Sequence, residues 1–204
     1  MARPKGRALE QRRTAQAEAV AARRRASQRK KGFVIAGIAV GVLAVAVAIV
    51  LLQPPAPGVA IASMGNDHIA SVDAPHAPYN SSPPSSGPHL GNLASWGEYT
   101  ETLPPELFVH NLEDGGVLLA YSCTDCGDFV DSMRTVIGGF DGRSVVLFPY
   151  DDIVDGSGVA HRGAAVAWGR VLYFDTLDEE TRPELGKFIK TYEGIDHHVR
   201  VATP

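Results

Sequence analysis

The sequence predicts an α/β protein, in which a small β-α-β-β-α extracytoplasmic domain follows one transmembrane helix and a Pro-rich linker. Three observations predict this arrangement. Residues 33–52 carry no polar side chain, residues 53–88 hold eight of the fourteen prolines, and residues 89–204 alternate short apolar runs with amphipathic stretches. We therefore expect four parts, which are a basic cytoplasmic segment (1–32), a transmembrane helix (33–52), a Pro/Ser-rich linker (53–88) and an α/β domain (89–204).

The charge of the chain is unevenly distributed. The net charge is −4, yet residues 1–31 hold 11 of the 19 basic residues, and no Lys or Arg occurs between Lys31 and Arg134. This asymmetry and the apolar run argue against a uniformly soluble cytoplasmic enzyme. With only two cysteines, the chain is also not a disulfide-dense secreted scaffold.

The apolar run at residues 33–52 has the length that a bilayer requires. Twenty helical residues span about 30 Å, which is the thickness of the hydrocarbon layer. Since cations crowd only its N-terminal flank, we expect the N-terminus in the cytoplasm and the C-terminal domain outside, in a single-pass cell-membrane protein. A cleaved signal peptide with a site at Ala60-Ile61-Ala62 is the alternative, and an uncleaved anchor is favoured because the run exceeds a usual signal.

The expected partners follow from this location. They are the lipid bilayer and envelope proteins. Nucleic acid is not expected, because no aromatic residue is interleaved with the basic residues before Phe33.

Local patterns predict the elements of the domain. Apolar runs predict three strands, the last of them broken at Gly169, and apolar residues at helical spacing predict two helices. Thr181 and Glu184 have the spacing of a capping box before the second helix. In chain order the predicted elements are a strand at Val117–Tyr121, a helix at Cys126–Ile137, a strand at Ser144–Phe148, a strand at Ala164–Phe174 and a helix at Pro183–Tyr192.

Several motifs together resemble a known family. They are Pro83–His89 (PPSSGPH), Trp96–Tyr99 (WGEY), Val109–Gly116 (VHNLEDGG) and Ala167–Arg170 (AWGR). These residues resemble an uncharacterised bacterial membrane-anchored family, a domain of unknown function with P-P-[ST]-S-G-P-H and V-H-N-L-E-H-G-G motifs, over about residues 65–195. The resemblance implies no established activity. This chain has Asp114 where the family pattern has the second His of H-N-L-E-H.

Histidines beside turn-forming residues suggest a metal site. His68, His89, His110 and Asp114 are the candidate ligands, because neutral imidazole and carboxylate are common ligands of zinc and copper ions. His110 and Asp114 are four residues apart and share one face if that stretch is helical. The alternative is that His110 donates to a backbone carbonyl and the acidic residues form a solvated turn. His161, His197 and His198 are weaker candidates.

Cys123 and Cys126 form a C-x-x-C motif between a predicted strand and a predicted helix. Three interpretations remain open: a structural disulfide, metal ligation, and redox chemistry favoured by the helix N-terminus. The order of strand, C-x-x-C, helix, strand, strand and helix looks like a shortened thioredoxin-type fold. Asp125 and Asp128 would oppose a thiolate there.

The sequence favours a non-enzymatic function, and we predict no catalytic residue. The leading hypothesis is an extracytoplasmic domain that binds a copper or zinc ion through His and acidic residues, with no other cofactor. The alternatives are a thiol-disulfide oxidoreductase that uses Cys123 and Cys126, and an envelope protein-interaction module. No G-x-S-x-G motif and no Walker-type loop is present.

Overall fold

The computed structural model describes residues 4–140 and 144–198, with the side chains of the first helix described only in part. The chain divides into two units, Met1–Pro55 and Ala56–Pro204. In chain order the elements are α1 (Pro4–Leu51), β1 (Val59–Ala60), β2 (His68–Ile69), β3 (His89–Leu90), β4 (Gly97–Glu98), α2 (Pro105–Glu113), β5 (Val117–Tyr121), α3 (Gly127–Gly138), β6 (Val145–Pro149), β7 (Gly163–Ala167), β8 (Arg170–Phe174) and α4 (Thr181–Tyr192).

The first unit is built on α1, a continuous helix of 48 residues. Its only proline lies at the first position, where the helix tolerates it. When the described residues are searched, no helix is found that has both the length and the apolar character needed to cross a membrane. The structure therefore gives no support to the transmembrane helix predicted at residues 33–52.

The second unit contains a mixed sheet, and the prediction of an α/β fold is confirmed. Across the described residues, six strands form one sheet in the order β1-β8-β7-β5-β6-β4. The central strand β5 pairs in parallel with β6 and antiparallel with β7, which in turn forms a hairpin with β8. The short strands β2 and β3 pair in parallel outside this sheet.

The sheet separates two apolar layers. Because side chains alternate along a strand, Val117 and Leu119 of β5 pack on one face, and Leu118 and Ala120 pack on the other. The first face is covered by α3 and α4, whose inward residues include Met133. The second face is covered by α2 through Phe108, Val109 and Leu112.

Most predicted elements are found close to their predicted bounds. The strand β5 has the predicted bounds, α3 and β6 are each shifted by one residue, and α4 begins at Thr181 instead of Pro183. The predicted third strand is two strands, because Gly169 takes a φ of +67° and reverses the chain. The additional helix α2 precedes the predicted β-α-β-β-α order.

The Pro-rich stretch differs from the linker predicted at residues 53–88. From Ala56 onward these residues belong to the second unit, and β1 pairs antiparallel with β8 at its edge. Ser85 and Ser86 are fully buried. Proline has no backbone N–H group. A Pro-rich coil that packs on a folded unit therefore buries fewer N–H groups that need a hydrogen-bond acceptor.

Candidate metal centre

Two histidines are placed side by side by the register of β2 and β3. His68 lies opposite His89 in this parallel pair, and the N–H of His89 donates to the carbonyl of Asp67 at 3.0 Å. The two ring centroids are 4.9 Å apart. His89 is fully buried, whereas the side chain of His68 is 48% exposed. The pair therefore has one ring in the interior and one ring at the surface.

The helix α2 supplies His110 and Glu113 to the same place. The two residues are three positions apart, so their side chains share one face of the helix. The side chain of Asn111 fixes α2 against the preceding segment, since it accepts from the N–H of Ala94 at 2.9 Å and donates to its carbonyl at 2.8 Å. All three of these α2 residues are buried.

The three imidazoles form a nearly equilateral triangle. The centroid of His110 lies 5.1 Å from that of His68 and 5.1 Å from that of His89. One ligand atom from each ring and one carboxylate oxygen of Glu113 all lie within 4.8 Å of one another. Four donors at such separations can surround one ion, because bonds from nitrogen or oxygen to zinc are about 2.0–2.2 Å long.

The carboxylate of Glu113 lies at the centre of the group. Its Oε2 is 2.9 Å from Nε2 of His89, 3.4 Å from Nε2 of His68 and 3.9 Å from Nδ1 of His110. Its Oε1 accepts from Nδ2 of Asn66 at 2.7 Å. Burial alone would raise the pKa of Glu113, but hydrogen bonds from Asn66, His89 and His68 outweigh burial, and the pKa lies below its ordinary value. The side chain is therefore an anion inside the fold.

The ring of His89 is oriented by a backbone carbonyl. Its Nδ1 lies 2.7 Å from the oxygen of Gly87, and a carbonyl only accepts, so this nitrogen donates. The other ring nitrogen, Nε2, faces Oε2 of Glu113 at 2.9 Å and the other two rings, so it is the nitrogen of His89 that an ion in this group would bind. Histidines that bind metals are commonly held by such a hydrogen bond on the second nitrogen.

The ring of His110 has a buried nitrogen that lacks a partner. Among the described residues, its Nδ1 is the one buried side-chain polar atom without a hydrogen bond. Burial, followed by the neighbouring ring of His89, lowers the pKa of His110 below its ordinary value of 6.5. The ring therefore stays neutral at pH 7, with a nitrogen directed into a group of metal-binding side chains.

The structure brings together three of the four predicted metal ligands and replaces the fourth. His68, His89 and His110 converge, but Asp114 is not in this group, and Glu113 occupies the fourth position. The physical reason is that Asp114 follows Glu113 by one residue, which is about 100° around the helix axis, so its carboxylate lies beside His110 and His198 and Glu113 faces His68 and His89. The i, i+3 spacing of His110 and Glu113 could have predicted this ligand from the sequence, because residues three apart share one face of a helix.

Asp114 belongs to a second group, with His110 and His198. His198 was a weaker candidate ligand in the sequence analysis. Its Nε2 lies 3.5 Å from Oε2 of Glu113. His161 lies elsewhere, between Asp155 at 3.4 Å and Asp175 at 3.1 Å.

The cysteines are also separate from the His residues. Cys123 and Cys126 form a disulfide, and both pack on the sheet face that α3 and α4 cover. Neither cysteine takes part in the candidate metal groups of the described chain.

Comparison with known proteins identifies one matching protein family. No curated protein and no solved structure matches the chain. The family described as "Protein of unknown function (DUF3105)" matches residues 72–201. The resemblance to a family of unknown function is thereby confirmed. Because the match covers more than half of the 204 residues, the chain belongs to the DUF3105 family.

Proposed function

We propose that the chain binds one transition-metal ion through His68, His89, His110 and Glu113. The observation that carries this proposal is the unpartnered Nδ1 of His110, which is buried beside two further imidazoles and a carboxylate. A buried polar atom without a hydrogen bond costs roughly 1–3 kcal/mol, and coordination to an ion would remove this cost.

The donor set indicates which ions fit. Three imidazole nitrogens and one carboxylate oxygen suit zinc and copper, whereas magnesium and calcium prefer oxygen ligands. The protein supplies four ligands, which is the usual number at a closed zinc site, while catalytic zinc sites commonly use three protein ligands and a water. This count supports a binding function over an enzymatic one.

Calorimetry with the metal-stripped full chain tests the proposal. Zinc and copper are titrated separately, and we expect one ion per chain with an affinity above that of the buffer. The variants His89→Ala and His110→Ala should each lower the affinity at least about tenfold, since even residues that only support ligands contribute on this scale. The matched control is His161→Ala, which removes a histidine outside the group. A wild-type chain that binds neither ion would disprove the proposal.

A second candidate function is thiol-disulfide exchange. The observation that favours it is the disulfide between Cys123 and Cys126, which joins the end of β5 to the start of α3 in partly exposed positions. In such an exchange a partner dithiol is oxidised while the Cys123–Cys126 bond is reduced to two thiols. Alkylation after equilibration in glutathione buffers tests it. A bond that stays oxidised at every ratio of reduced to oxidised glutathione would make the disulfide structural.

We also propose that the folded unit lies outside the cytoplasm. The proposal is supported by the apolar sequence at residues 33–52 and the cationic flank before it. Labelling of intact cells with a membrane-impermeant reagent at an engineered C-terminal tag tests it, and protection of the tag in intact cells would contradict it.

A further inference from the structure

The segment Gly194–His198 is fastened along the C-terminal end of α2. The N–H of Gly194 donates to the carbonyl of Gly115 at 2.8 Å, and the N–H of His197 donates to the carbonyl of Glu113 at 2.9 Å. Gly115 has a φ of +79°, and a Cβ there would come within 2.7 Å of the backbone nitrogen of Ile195. The backbone of this segment therefore fixes where His198 lies.

The ring of His198 faces three acidic groups. Its Nδ1 is 2.8 Å from Oδ1 of Asp196 and 3.4 Å from Oδ1 of Asp114. Its Nε2 is 3.5 Å from Oε2 of Glu113, close to the 3.4 Å between His68 and the same oxygen. The ring centroids of His198 and His110 are 5.8 Å apart. His198 thus lies at the edge of the centre, with Glu113 between it and the buried rings.

His110, Asp114 and His198 form a second set of metal-binding side chains, and one ligand atom from each lies within 4.8 Å of the others. Two of the three members of this set are exposed, whereas in the first set one of the four members, His68, is exposed and the other three are buried. The side chains of His198 and Asp114 are 39% and 31% exposed, whereas those of His89 and Glu113 are 0% and 1% exposed.

The two sets share His110. A neutral imidazole has one nitrogen lone pair available to a metal, so the ring of His110 holds one ion at a time. The two sets therefore offer alternative positions for a single ion. Oε2 of Glu113 lies near both sets, so an ion that moves between them remains close to a carboxylate throughout.

We infer that His110, Asp114 and His198 form a loading position, at which an ion binds first before it moves to the buried centre. In the move, the ion exchanges Asp114 and His198 for His68, His89 and Glu113 and keeps His110. The ligand is a divalent zinc or copper ion, and the exchange involves no change in its oxidation state. This inference rests on the proposed function, because it requires that the buried centre binds an ion.

Stopped-flow loading of the metal-stripped full chain with zinc tests the inference, with a chromophoric chelator as the zinc donor. The variants are His198→Ala and Asp114→Asn, and the control is His161→Ala. We expect each variant to load about tenfold more slowly or worse, with an equilibrium affinity within about threefold of wild type, because the ligands of the final position are intact. The control should load at the wild-type rate, and native mass spectrometry should show one ion per chain.

The outcomes separate the two proposals. If the wild type binds neither zinc nor copper in calorimetry, the proposed function fails, and the loading position fails with it. If the wild type binds zinc and both variants load at the wild-type rate, only the loading position fails. Two ions per wild-type chain, or a large loss of affinity in His198→Ala, would likewise overturn it, because His198 would then hold an ion permanently.

Discussion

Nε2 of His89 and Oε2 of Glu113 lie 2.9 Å apart in the interior of the second unit, with 0% and 1% of their side chains exposed. This contact joins β3 to α2, two elements that are separated in sequence by the WGEY segment. The same pair supplies two donors to the candidate metal centre. The ligands therefore contribute to folding as well as to binding, and substitutions at them need measurements that separate the two effects.

Replacement of Glu113 should affect stability and metal binding differently, according to the residue introduced. Glu113→Ala leaves Asn66 and His89 without their acceptor and should destabilise the chain by about 1–3 kcal/mol. Glu113→Gln keeps an oxygen acceptor and should destabilise it less, while both variants lose the anionic ligand and bind zinc weakly. Urea unfolding of the metal-free variants and zinc calorimetry measure the two effects. Equal stabilities for the two variants would contradict the structural role.

Asp114→His should leave the affinity of the buried centre nearly unchanged. The substitution introduces the histidine that the motif in the sequence analysis predicts at this position, but position 114 lies beyond the end of α2 and outside the buried group. We expect a zinc affinity within about threefold of wild type, which is smaller than the effect of removing a supporting partner of a ligand. Zinc competition with a chelator measures it. A gain of tenfold or more would show that residue 114 reaches the ion of the buried centre.

The metal-free chain should lose stability in two steps as the pH falls. Burial lowers the pKa of His110 in the folded state, so the unfolded chain takes up this proton first, and the stabilisation is lost as the pH falls from about 6.5 through the folded pKa. The pKa of Glu113 is also lowered, so its contribution is present above about pH 4.5 and is lost as the pH falls through its folded pKa.

Urea midpoints between pH 8 and pH 3 measure both steps. In the variant His110→Gln the upper step should be smaller, with a remainder from His197, whose pKa burial also lowers, and the lower step should remain. A wild-type midpoint that is constant from pH 7 to pH 5 would refute the upper step.

Removal of the disulfide should lower stability modestly and leave metal binding intact. The bond closes a very short loop, for which the chain-entropy relation gives about 2 kcal/mol. We expect the double variant Cys123→Ser and Cys126→Ser to unfold at a lower temperature and to bind zinc as the wild type does. Thermal unfolding and calorimetry test this. A loss of zinc binding in a folded double variant would mean that the two regions are coupled.

The main elements of the sheet and its α3–α4 layer could be predicted, because β5, α3 and α4 have clear apolar periodicity. The helix α2 was missed because it has only nine residues and begins at a proline pair. The strands β2 and β3 have two residues each, which is too short for any periodicity.

The sequence predicted that histidines and acidic residues form the candidate site, but it did not predict which of these residues come together. His68 and His89 are adjacent only through the register of β2 and β3, which pairs residues far apart in the chain. Glu113 and Asp114 both lie near His110, and which of the two carboxylates also reaches His68 and His89 depends on how α2 packs beside β2 and β3, a tertiary contact that the sequence does not show. His198 is brought to the site by backbone hydrogen bonds that leave no trace in its sequence neighbourhood.

The six-stranded sheet has a chemical consequence beyond support. It stands between the sulfur atoms, which pack with α3 and α4, and the imidazoles associated with α2. Thiolates bind copper strongly and reduce its divalent form. Reduced cysteines beside a copper ion would therefore bind and reduce that ion. The backbone and apolar side chains of the sheet therefore keep the disulfide apart from the proposed metal site, so that a copper ion bound there would not contact the sulfur atoms.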